Sequence, residues 1–98
     1  MTNLGKKQLH HLRQLAHELK PVVMIGNKGL TENVLDEINI ALDHHELIKV
    51  KISAAERDQK EKMILEILDT CNAEKVMAVG HIVGIYKKAE EPKILLPK

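Results

Sequence analysis

Five side chains near the start of the chain, Lys6, His10, Arg13, His17 and Lys20, recur at intervals of four, three, four and three residues. On a helix, at about 100° per residue, that spacing confines them to roughly 80° of the surface. No carboxylate interrupts the stripe. Lys and Arg offer fixed charge, and His offers a donor or a proton-dependent charge, a set suited to a row of phosphates. An ordinary solvated basic face would look similar; five aligned members favour binding.

A second constellation follows at once, Gly26-Asn27-Lys28-Gly29. Paired glycines permit positive φ and let a backbone approach a ligand closely. The helix that follows turns free N–H groups towards an anion, and Lys28 adds a positive charge. A loop of this GxxG type clamps nucleic-acid backbone in KH modules, so the segment is KH-like in kind. The motif alone is common enough to arise by chance, and a tight strand-to-helix turn needs the same residues. Its place, directly after the basic helix and one strand, is what links it to the stripe.

Other chemistry finds little support. His10-His11 and His44-His45 are adjacent pairs whose rings would diverge by about 100° on a helix, and no Cys or His spacing completes a metal set. Cys71 falls on an apolar stripe, which suits a small core residue better than a nucleophile. Asp36, Glu37, Asp43, Glu56, Asp58 and Glu61 read as solvated carboxylates, and no GxGxxG, Walker A or zinc-protease pattern is present. We therefore expect no catalysis, no metal, no cofactor and no small-molecule substrate.

The elements that must position these groups can be read from hydrophobic period. Leu9, Leu12, Leu15, Ala16 and Leu19 form one stripe over Gly5–Leu19, a helix that Pro21 terminates. Val22–Ile25 is a short apolar run that reads as a buried strand ending at Gly26. Thr31 is a natural N-cap for a second helix with Val34, Leu35, Ile38, Ala41 and Leu42 inward. Glu46–Ser53 alternates as a half-exposed strand, with Lys49 and Lys51 outward and Leu47 out of phase. Ser53-Ala54-Ala55-Glu56 has capping-box spacing for a third helix whose inner face is Met63, Ile64, Ile67, Leu68 and Cys71. Val76–Val79 and Ile82–Tyr86 form a hairpin about Gly80-His81. Residues 88–98 are loop-like, with Ile94-Leu95-Leu96 expected to dock on the body. The expected fold is α/β, a compact two-layer α-β-α-β-α-β-β domain occupying 1–98.

Composition sets the outer bounds. The chain has 98 residues, a net charge of +1 and 30% charged residues, which suits one globular domain. Residues 1–30 hold five Lys or Arg against one Glu, whereas 31–47 hold five acids and no Lys or Arg. One face can thus carry positive potential beneath a near-neutral total. Tyr86 is the single aromatic, which argues against a platform of rings stacking several bases. A lone cysteine and the absence of an apolar leader or span give the cytoplasm as the default compartment, with no membrane partner.

The run from Gly5-Lys6-Lys7-Gln8-Leu9 through Leu15-Ala16-His17-Glu18-Leu19-Lys20-Pro21-Val22-Val23, then Ile25-Gly26-Asn27-Lys28-Gly29-Leu30-Thr31, resembles the CRM domain (chloroplast RNA splicing and ribosome maturation), in particular its single-domain bacterial YhbY-type members. Leu47-Ile48-Lys49-Val50-Lys51 and Gly80-His81-Ile82-Val83-Gly84-Ile85-Tyr86 continue the match. The resemblance implies a mixed four-stranded sheet similar to the C-terminal domain of translation initiation factor three. It implies a non-enzymatic RNA-binding protein that associates with precursors of the large ribosomal subunit and assists ribosome assembly; we expect it to act as a monomer. It places the RNA contact at Gly26, Asn27, Lys28 and Gly29; the helix periodicity adds Lys6, His10, Arg13, His17 and Lys20. The acidic second helix departs from the more basic pattern of many members. That departure leaves open a different role, an adaptor docking on basic ribosomal proteins through this helix.

Overall fold

The structure is a computed structural model and describes residues 5–26, 29–53, 56–88 and 94. Along the chain run α1 (Lys6–His17), β1 (Pro21–Ile25), α2 (Glu32–His45), β2 (Leu47–Ile52), α3 (Arg57–Cys71), β3 (Glu74–Val79) and β4 (Ile82–Tyr86). This is the order that the hydrophobic periods predict. The strands lie side by side as β1-β2-β4-β3. β1 and β2 are parallel, which requires a crossover, and α2 supplies it. β4 pairs antiparallel with both β2 and β3, so the sheet is mixed.

Alternation along the strands divides the apolar residues between two faces. Val23, Ile25, Ile48, Val50, Ile52, Val83 and Ile85 meet Ile38 and Leu42 of α2 and Ile67 and Cys71 of α3 in the main core. The intervening Leu47 and Tyr86 join Leu12, Ala16 and Val76 in a second cluster beneath α1. The two-layer arrangement describes the sheet with α2 and α3; α1 lies across the opposite face as a partial third layer. Leu47, which looks out of phase, marks the place on the polar face of β2 where α1 sits.

Several boundaries move. α1 ends at His17 with Glu18 as C-cap, two residues short of Leu19. Leu15 and Leu19 stay 38% and 39% exposed, so the helix buries Leu12 and Ala16 rather than a full leucine stripe. β1 is buried on one face only: Val23 and Ile25 are covered, but Val22 and Met24 are 53% and 62% exposed. Thr31 caps α2 as predicted, its Oγ1 accepting the Val34 N–H at 3.2 Å. The α3 cap is displaced: Glu56 is the N-cap, and its N–H donates to Gln59 Oε1 at 3.3 Å. Ser53 instead donates its hydroxyl to the Ile25 carbonyl at 3.0 Å, tying the end of β2 to the end of β1. The other two residues of the expected cap, Ala54 and Ala55, lie outside the described residues.

Glu46 carries no sequence signal of a structural role. It takes φ 62°, closes α2 through its N–H to the Leu42 carbonyl, and is fully buried. Its Oε1 accepts the Ile94 N–H at 3.0 Å, and its carbonyl accepts the Lys87 N–H at 2.9 Å. Ile94 thereby packs on the second cluster, as expected for the tail, while Leu95 and Leu96 lie outside the described residues.

Candidate nucleic-acid interface

α1 has an inner side and two unlike flanks. Ala16 points at Gly84 of β4, its Cβ 3.9 Å from where a glycine Cβ would stand. One flank, Leu15 and Leu19, lines an apolar groove with Val22, Leu47, Ile48 and Ile94. At about 100° per residue, Lys6, His10, Arg13 and His17 fall on the other flank, and all four are exposed. Arg13 also fixes the helix, its Nε donating to the Val76 carbonyl of β3 at 3.0 Å. Lys20 is exposed but lies beyond the helix and borders the apolar groove, so helical spacing does not carry it into the stripe. The structure thus brings four of the five together.

The glycine loop leaves the end of β1. The Gly29 N–H donates to the Gly26 carbonyl at 3.0 Å, the closing bond of a tight turn. Asn27 and Lys28 lie outside the described residues. The two glycines differ in what requires them. Gly29 has φ 70°, where other residues are strained, while a Cβ there would make only an ordinary 3.4 Å contact with Met63. Gly26 has no positive φ, and among the described residues a Cβ there would meet nothing within 4 Å. At the N-terminus of α2 beyond the loop, Glu32 already places a carboxylate in the first turn.

Charge is sorted by face. The α2 acids Glu32, Asp36, Glu37 and Asp43 are exposed on the layer opposite α1. On the α1 side of the sheet stand Lys49, half-buried, and Lys51, exposed. These two lysines are functional candidates that sequence reasoning passes over. They are visible as the outward positions of β2, but which helix shares their face follows only from the topology.

Tyr86 is buried to 4% exposure and so is no stacking surface. Burial, the Glu46 charge and a hydrogen bond from its hydroxyl to Glu46 push its pKa up. Cys71 is buried in the main core, and burial raises its pKa with a partial offset from Lys87, the opposite of an activated thiol. Among the described residues no three of His, Cys, Asp and Glu come together as a metal set, and no helix is long and apolar enough to cross a membrane.

Residues 4–87 match the model of the CRS1 / YhbY (CRM) domain. A Haemophilus influenzae protein named as an RNA-binding protein is 51% identical over 98 residues, spanning 100% of this chain and 99% of that one. A Pseudomonas aeruginosa protein named as a probable RNA-binding protein is 37% identical over 89 residues, covering 91% of this chain and 86% of the other. The solution structure of a Staphylococcus aureus protein, proposed there to bind RNA, superposes with a TM-score of 0.81 at 34% identity. That alignment covers 96% of this chain and 99% of the other.

Proposed function

The chain belongs to the CRS1 / YhbY (CRM) domain family, and on that premise we propose that it is an RNA-binding protein, without catalytic activity, that associates in the cytoplasm with precursors of the large ribosomal subunit and assists their assembly. The basic flank of α1 and the Gly26–Gly29 loop contact rRNA backbone. Lys6, Arg13 and Lys28 supply charge to phosphates, His10 and His17 supply donors, and Gly26 lets the strand of RNA come close to the main chain. The observation that carries this reading is the exposed basic flank of α1, Lys6, His10, Arg13 and His17, followed through one strand by the glycine loop. The ribosomal setting rests on the resemblance to YhbY-type proteins.

With its one aromatic buried, the protein meets RNA chiefly through the phosphate backbone. Replacing Lys6 and Lys28 with Ala should weaken binding to all RNAs by a similar factor. The slope of log affinity against log salt should flatten by about 0.7–0.9 per lost contact. Unchanged affinity and slope would remove both residues from the interface. The acidic face of α2 supports a second reading, a dock for basic ribosomal proteins, because it is exposed and lies on the layer away from the basic flank. In that case neutralising Glu32, Asp36 and Asp43 abolishes association with particles while binding to free RNA survives.

A further inference from the structure

We propose that the uncovered half of the sheet face beside α1 is a seat for unpaired nucleotides, which makes single-stranded RNA the preferred ligand of the interface. The proposal rests on the RNA-binding reading above and narrows it. Strand register sets Met24, Lys51, Ile82 and Val79 side by side in one row that crosses all four strands. With neighbouring strands about 4.8 Å apart, the row is roughly 14 Å long. Lys49 belongs to the next row, between this one and α1.

Met24 and Val79 are 62% and 68% exposed, so the row presents aliphatic surface to solvent rather than to another element. Lys51 stands in the middle of it, and the row holds no carboxylate. The basic flank of α1 faces β3, the strand that ends in Val79, and the apolar flank, Leu15 and Leu19, faces Val22 and Leu47 on the other side. From Leu12 the helix turns through Ala16, which touches Gly84, to Arg13, which bonds the Val76 carbonyl. The glycine loop begins one residue beyond β1's Ile25, at the same end of the sheet.

Aliphatic side chains beside the Lys51 ammonium group match an unpaired nucleotide, which has an apolar base face and a charged phosphate. A duplex hides its base faces in the stack and could use only the lysines. Base packing on Met24, Ile82 and Val79 is sequence-tolerant, because every base has such a face.

The test is a titration of the full chain with an unpaired oligoribonucleotide and with a hairpin of equal length, read by fluorescence anisotropy across a salt series. The paired substitutions Met24→Ser and Val79→Ser should lower affinity for the unpaired RNA by about 3–10-fold, leave the salt slope unchanged and leave the hairpin unaffected. Met24→Leu with Val79→Ile keeps the aliphatic surface and should keep affinity, which separates loss of contact from loss of fold. Wild-type affinity in the serine pair, when the Lys6 and Lys28 variant binds weakly, would overturn the seat and leave the RNA-binding reading standing. Intact RNA affinity in the serine pair with lost particle association would instead make this face a protein dock. Failure of the unsubstituted chain to bind either RNA would overturn both.

Discussion

Two glycines three residues apart illustrate how differently one residue type can be used. Gly29 answers to the fold: its φ of 70° strains any residue with a side chain. Gly29→Ala should cost about 1 kcal/mol in chemical denaturation, in line with the strain of a left-handed alanine. Gly26→Ala should leave the unfolding midpoint unchanged and weaken RNA binding, a split that thermal melts and a binding titration on the same variant would check. Both glycines are plain in the sequence as a GxxG motif, but their separate roles are not, because φ and clearance are properties of the folded turn. Buried ionisable groups add a second consequence at this scale. Cys71 and Tyr86 both hold their protons to higher pH in the folded chain than in the unfolded one. Their contribution to stability is therefore complete at neutral pH and declines as pH rises past the ordinary values, about 8.5 for the thiol and about 10 for the phenol. Urea unfolding across that range should show stability falling with pH, and a flat profile would contradict the burial of both groups.

At the scale of elements, α1 depends on an absence in β4. Gly84 is buried beneath the helix, and a Cβ there would stand 3.0 Å from Met77 and 3.9 Å from Ala16. Gly84→Val should displace Met77 and lift α1, costing about 1–3 kcal/mol as overpacking. Loss of hydrogen-exchange protection in α1, with β2 and α3 still protected, would identify the helix as the part that moves. The elements themselves are well marked in the sequence: the 3.6-residue and two-residue periods, Thr31, Pro21 and the Gly80-His81 turn account for each helix and strand described. The displaced cap of α3 shows the limit. Ser53 fits a capping pattern by spacing, yet the hydrogen bond to Ile25 available at the strand end claims its hydroxyl. Likewise Val22 and Met24 read as core, since a four-residue apolar run does not say how many of its faces are covered.

For the whole molecule, the sheet separates charge. Acidic α2 lies on one face, while the basic flank of α1 with Lys49 and Lys51 lies on the other, so a net charge of +1 conceals two oppositely charged surfaces. The uneven blocks along the chain hint at this, but blocks become faces only once the topology is known. Helical arithmetic draws Lys20 into the basic stripe because it assumes a longer helix, and it omits Lys51 because a strand's outward face names no neighbour. The central claim is that this basic side holds the protein on RNA within large-subunit precursors. It is tested most directly by sucrose gradients of cell lysate, blotted for the protein before and after ribonuclease digestion. The expected result is cofractionation with large-subunit precursors, abolished by ribonuclease and by the Lys6→Ala and Lys28→Ala pair. Migration at the top of the gradient in low salt as well as high would contradict it.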